Sequence, residues 1–376
     1  MSVASNALPR WMDLGLLPAL NLAIALAVCG VVVKIVGHDP AQVLALLVKG
    51  AFGSRAGISY TLYYATTFVF TGLAVAVAFH GGLFNIGGEG QAMMGGLGTA
   101  LVALSLADHL PAAVVLPLMV LAAMLFGMLW AAVPAALQAY RGSHVVITTI
   151  MFNFIASALL SYLLVNVLKE PGNMTVESRR FADSARLPGV HDALAWLGVE
   201  WPRTPLNLSV LLAVAASVAV WALLWHSRPG YSMRAVGFAP EAALYAGIRP
   251  KRQVMLAMAL SGALAGLVGV NEIAGVHQRL LLDFVVGAGF AGIAVSLIGR
   301  SHPVGIVLAA VLFGALYQGG AELAFEIPGF SRDMVFTLQG LIVLFSGAMA
   351  QVLAPALQRL HHALRPAAAT QGAAHG

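Results

Sequence analysis

Asn85, Glu89 and Gln91 lie in the stretch NIGGEGQ, within a chain whose surroundings are almost wholly apolar. Helical spacing puts Asn85 and Glu89, four residues apart, on one face. A second polar set, Thr148, Thr149 and Asn153, lies in VITTIMFNFIA, and Asn271, Glu272 and Gln318 stand in later apolar runs. Polar groups in such a setting are costly and face a partner or a cavity. These amides and hydroxyls could line a path for a polar solute, or they could join helices by hydrogen bonds, worth about 1 kcal/mol each. For Asn153 and Gln318 taken singly, helix joining is the better reading. Glu89 differs, because its own segment holds no basic residue. Its carboxylate either caps a new helix start, where the positive dipole end favours an acid, or lines a pathway. The capping role is favoured.

Other chemistry finds no support. The phosphate-cradling pattern G-x-x-x-x-G-K-[ST] is absent, and none of Lys34, Lys49, Lys169 and Lys251 follows a glycine-rich turn. The histidines are scattered apart from His361 and His362, and Cys29 is the single cysteine, so neither a metal set nor a disulfide framework is expected. No nucleophile–base pair suggests an enzyme. No basic cluster interleaved with aromatics suggests a nucleic acid partner.

The elements that must position these residues are membrane helices. The 376 residues are 60% hydrophobic and 9% charged, against about 25% charged in soluble domains; mean hydropathy is +0.88. Runs near the length of about 20 residues that a bilayer requires occur at 14–37, 58–79, 89–107, 111–138, 146–168, 207–227, 254–277, 284–299, 303–323 and 333–354. An all-α polytopic membrane protein of about ten transmembrane helices is expected. The domain order is a cytoplasmic N-terminus at 1–13, a membrane domain at 14–354 with an external loop at 169–206, and a cytoplasmic tail at 355–376. The run 14–35 is too long for a signal-peptide core and reads as a retained helix. The amphipathic segment 41–53 reads as interfacial.

Arg228, Arg234, Arg249, Lys251 and Arg252 make 228–252 the richest basic loop, so it is expected in the cytoplasm. Counting crossings then puts Arg141, Arg300, Arg359 and Arg365 inside, with both termini. Loop 169–206 and the acidic connection around Glu322, Glu326 and Asp333 fall outside. In this count the second to fifth and seventh to tenth spans run in opposite senses, as inverted repeats would. Each half carries one glycine-broken stretch, HGGLFNIGGEG (His80–Gly90) and GAGFAGIAVSLIG (Gly287–Gly299). Paired breaks point to a substrate path, although glycines also permit close packing.

The basic loop holds a short helix with both ends specified. Pro240 suits the first turn, Glu241 complements the N-terminal dipole, and Gly247 fits a left-handed cap before Pro250 blocks continuation. Such a helix either docks on something cytoplasmic or is an ordered connection.

With Glu241, Ala242, Ala243 and Gly247 in an E-A-A-x-x-x-G pattern, the chain resembles the permeases of bacterial ABC importers for simple sugars, nucleosides and branched-chain amino acids. GLFNIGGEGQ (Gly82–Gln91), VITTIMFNFIA (Val146–Ala156), RAVGFAPEAALYAGI (Arg234–Ile248) and GFAGIAVSLIGRSHPVGI (Gly289–Ile306) are most similar to the nucleoside-type branch. The resemblance implies a type II-like permease subunit in a bacterial inner membrane, carrying a nucleoside or simple sugar. Its path would be lined by Asn85, Glu89, Gln91, Thr148, Thr149, Asn153 and Gln318. Its ATPase contact would be Arg234, Pro240, Glu241, Ala242, Ala243 and Gly247. Implied partners are ABC ATPase subunits that bind the ATP, a second permease chain, and an extracytoplasmic substrate-binding protein. This chain itself would need no cofactor. The competing expectation is a stand-alone secondary transporter or channel, in which Glu89 and Glu272 would couple ions.

Overall fold

The computed structural model describes residues 9, 12, 16–170, 172, 174–327, 330 and 332–364. The expected helix start at 14, Arg365 and the end of the tail lie outside the described residues. The elements are α1 (Leu17–Ile35), α2 (Pro40–Phe52), α3 (Arg55–His80), α4 (Gly88–Leu106), α5 (Ala112–Arg141), α6 (Val145–Leu163), α7 (Val190–Trp196), α8 (Ser209–His226), α9 (Arg228–Phe238), α10 (Pro240–Tyr245), α11 (Pro250–Gly266), α12 (Ala288–Ile298), α13 (Pro303–Glu326) and α14 (Arg332–Leu364). π-helical turns at Leu164–Leu168 and Val270–His277 follow α6 and α11. Among the described residues there is no β-strand, only three isolated bridges. The all-α polytopic expectation therefore holds.

Each expected span coincides with a helix, but ten uninterrupted crossings are not reached. Among the described residues, six segments are long and apolar enough: α3, α5, α6 with its π turn, α8, α11 with its π turn, and α13. The bent pair Ala19–Ile35 and Pro40–Phe52 would make seven. α4 misses because Glu89, Gln91 and five glycines dilute its apolar content. α12, at 11 residues, is about 16 Å long against a hydrocarbon core of about 30 Å. The two broken stretches are thus two of the places where the chain departs from simple spans.

Contacts divide the chain into two units. The first comprises residues up to Leu46 and from Leu323 onward. There α1 packs on α14, the Cys29 thiol donates to the Leu338 carbonyl at 3.6 Å, and Met12, Leu17 and Leu357 form an apolar cluster.

The second unit, Leu47–Glu322, carries the polar residues of interest. Its centre is α3, whose span window is 83% buried, against 22% for α5 and α6. The peripheral helices turn Leu121, Leu125, Phe154, Tyr162, Leu211 and Val218 outward, as lipid-facing helices do. Small residues bring backbones together at the centre. A Cβ on Gly127 of α5 would lie 2.2 Å from the Gly262 carbonyl oxygen of α11, so this contact admits no side chain. Ser54 caps α3, its hydroxyl accepting from the Gly57 N–H at 2.9 Å.

Loops 169–206 and 228–252 meet opposite ends of α3. At its start, Arg55 donates to the Glu200 carbonyl at 3.2 Å and the Trp201 indole to the Ser59 hydroxyl at 2.7 Å. At its end, His80 touches Gly237 of α9. Twenty-six residues separate these ends by about 39 Å, enough to cross a bilayer. Reporter fusions at residue 232 should therefore be cytoplasmic and fusions near Ser184 external. The same side for both would refute the crossing count.

Candidate functional site

The first broken stretch leaves α3 through Gly81 and Gly82 and restarts as α4 at Gly88. Asn85 fixes the turn. Its Nδ2 donates to the Ser261 hydroxyl at 2.8 Å and to Gln91 Oε1 at 3.0 Å. Its Oδ1 accepts from the Gly87 N–H at 2.8 Å and from Gln91 Nε2 at 3.1 Å. With two donors and two acceptor sites, this amide is saturated. Ser261 passes its own proton to the Ala74 carbonyl at 2.6 Å. Asn153 of α6 holds the other side, accepting from the Gly90 N–H at 2.9 Å and donating to the Ile86 carbonyl at 3.0 Å.

Glu89 joins the two breaks. It lies in the first turn of α4 and is buried, but its oxygens reach the start of α12. The N–H groups of Gly287 and Gly289 each donate to it at 2.8 Å. Gly287 sits at φ +79°, a conformation that suits glycine, and is the residue from which α12 begins. The backbones approach so closely that a Cβ on Gly289 would be 2.2 Å from the Glu89 nitrogen. Two helix N-termini, both positive dipole ends, thus share one carboxylate. Hydrogen bonds to a charged acceptor contribute about 1.5–3 kcal/mol each. The capping role read from the sequence is present, but the capped helix belongs to the other half of the chain.

Of the remaining path residues, Thr149 is buried and bonds to its own helix at the Val145 carbonyl, 2.8 Å away, beside Gly87. Thr148 is half-buried and bonds likewise at 3.0 Å. Gln318, half-buried on α13, joins neither network. Asn85, Glu89, Gln91, Thr149 and Asn153 are therefore brought together around the break; Thr148 and Gln318 are not.

A second buried network lies on the π-helical turn after α11. The Glu272 carboxylate accepts from the Tyr63 hydroxyl, from the Thr67 hydroxyl at 2.7 Å, and from Asn271 Nδ2 at 3.4 Å. Asn271 also donates to Thr67 Oγ1 at 2.7 Å and accepts from Ser209 and Asn207 at 2.7 and 3.0 Å. This cluster ties α3, the π turn and the start of α8. The ion pairs among the described residues involve neither Glu89 nor Glu272. Asn271 and Glu272 stand out in the sequence as polar residues in an apolar run, whereas Tyr63, Thr67, Asn207 and Ser209 do not. Their spacing on separate helices gave no signal.

The basic loop holds two helices, not one. α9 is capped by Ser227, whose hydroxyl accepts from the Gly230 N–H at 3.1 Å. α10 follows with Pro240 and Glu241 in its first turn. Gly247 lies at φ +81°. Its N–H donates to the Leu244 carbonyl at 2.9 Å, and the Ile248 N–H donates to the Ala243 carbonyl at 3.0 Å, the paired bonds of a glycine-terminated helix. Ala243 is the buried residue of α10, whereas Phe238 at the end of α9 and Tyr245 at the end of α10 are 96% and 94% exposed. Glu241 and Ala242 are exposed on the same helix, and Arg234 is half-buried on α9.

Residues 57–347 match the family model for the branched-chain amino acid transport system / permease component. The chain is 36% identical over 343 residues to a glucose ABC transporter permease of Haloferax volcanii, covering 90% of this chain and 88% of that one. It is 35% identical over 331 residues to a guanosine ABC transporter permease of Bacillus subtilis, covering 88% and 92%. A nucleoside ABC transporter permease of Lactococcus lactis is 32% identical, with 85% of each chain covered.

Removing the Tyr63 hydroxyl should expose the cost of the second buried carboxylate. Tyr63→Phe is expected to destabilise the detergent-solubilised protein by about 1.5–3 kcal/mol, read as a lower unfolding midpoint. An unchanged midpoint would mean that the donor contributes nothing.

Proposed function

The chain belongs to the branched-chain amino acid transport system / permease component family, and we propose that this ABC importer permease carries a nucleoside. The observation behind the cargo is the chemistry of the break. Around it stand amides and hydroxyls, and the Glu89 carboxylate is occupied by backbone N–H groups. A nucleoside has polar edges and a flat, partly apolar base, so it needs hydrogen-bonding groups and few charges. A zwitterionic amino acid would call for a charged clamp. Asn85, Glu89, Gln91, Thr149 and Asn153 shape the gate by holding the broken segments, while Thr148 and Gln318 offer side chains to the path.

Two permease chains enclose the path in a bacterial inner membrane, with both termini in the cytoplasm. ATPase subunits bind the nucleotide and dock on α10 around Glu241, with Arg234, Pro240, Ala242, Ala243 and Gly247 setting the docking surface. An external binding protein delivers the cargo. Phe238 and Tyr245, apolar and exposed beside α10, favour docking over a plain connection. The likeness to a glucose permease supports a second reading, in which the cargo is a simple sugar.

Reconstituted with its ATPase and binding protein, the permease should accumulate a labelled nucleoside in vesicles. Uptake of leucine, or of a sugar and no nucleoside, would overturn the cargo. Glu241→Lys should lower cargo-stimulated ATP hydrolysis at least tenfold (about 1.4 kcal/mol or more) without changing membrane level. Normal transport in that variant would reduce α10 to a connector.

A further inference from the structure

The end of α3, the first broken stretch and the docking loop share one backbone contact that the sequence patterns do not assign. Gly237 lies in the last turn of α9, three residues before Pro240 opens α10. A Cβ on Gly237 would fall 2.3 Å from the His80 carbonyl oxygen and 2.7 Å from the Gly82 nitrogen. Reciprocally, a Cβ on Gly82 would fall 2.9 Å from Gly237 Cα, and Gly82 sits at φ +72°. A Cβ at either position must displace the facing backbone, which cannot rotate aside as a side chain can.

From there the short segment 82–89, held by side-chain hydrogen bonds, leads to α12. Gly82 begins the turn that Asn85 holds against Ser261 and Gln91. Gly87, clasped by Asn85, precedes Gly88 and Glu89, and Glu89 holds the α12 N-terminus through Gly287 and Gly289. The path from loop to gate thus contains no flexible side-chain contact at its first step. Close-packed backbone contacts transmit displacement because neither surface can yield locally.

We propose that the Gly237–Gly82 contact is the transmission point at which movement of the docking loop is passed to the broken helices. Gly237 is a positioning residue for transport, acting through the 82–89 segment. The inference rests on the reading that α10 docks the ATPase. A displacement of α10 shifts α9, pushes the His80–Gly82 turn, and moves Glu89 together with α12.

The test uses the complete complex in proteoliposomes. Gly237→Ala is expected to assemble and to keep ATP hydrolysis within about twofold of the parent, while cargo moved per ATP falls at least tenfold (about 1.4 kcal/mol). A local reporter separates transmission from mere structure. In a Cys29→Ala background, Phe290→Cys on the exposed face of α12 should change its maleimide reactivity at least threefold between nucleotide-free and ATP-bound states. That change should vanish when Gly237→Ala is added. Parent-like transport per ATP with a preserved reactivity change would overturn the proposal. If Glu241→Lys leaves transport normal, the docking reading has failed instead. Should Gly237→Ala not assemble, amide exchange of residues 82–87 in the parent complex decides. At least a threefold change on ATP binding supports transmission, and equal exchange in both states overturns it.

Discussion

One buried carboxylate organises the interior of the second unit. Glu89 has no cation within ion-pair distance among the described residues, and its charge is met by backbone N–H groups from a helix two hundred residues away in sequence. In a medium that supplies no water, a broken helix must satisfy its freed N–H groups inside the protein. The α12 start meets that requirement through Glu89, and Glu89 is tolerable there because two dipole ends converge on it. Neither break is affordable without the other. That mutual dependence is why glycine-broken stretches in both halves come together at one place.

The networks around this pair differ in kind. Asn85 is saturated, and with Gln91, Ser261 and Asn153 it holds irregular backbone in one shape. The Glu272 set instead bolts α3 to a π-helical turn, a feature frequent at functional sites, and leaves a second uncompensated carboxylate among neutral donors. A transporter of polar cargo gains from both. The first keeps the broken segments in register, and the second anchors the central helix α3.

Much of this was legible in the sequence. The apolar runs located every helix of the bundle, and Pro240, Glu241 and Gly247 fixed both ends of α10, because helix termini are specified by local residue types. The glycine pairs marked the breaks. What sequence could not supply was the partner of each polar group. Glu89 was read as capping a helix start, yet nothing in NIGGEGQ tells that the helix begins at Gly287. Tyr63 and Thr67 look like ordinary residues of an apolar span until Glu272 is placed against them. Ten spans are not confirmed, in part because the runs around α4 and α12 carry glycines and polar residues that serve the break.

The central claim is that the Glu89 carboxylate, and not packing alone, holds the α12 N-terminus. Hydrogen–deuterium exchange of the Gly287 and Gly289 amides, compared between the parent and Glu89→Ala, tests it most directly. Losing bonds worth about 1.5–3 kcal/mol each should speed exchange at these two amides at least tenfold, with the Asn85 turn little changed. Equal exchange in both proteins would contradict the account.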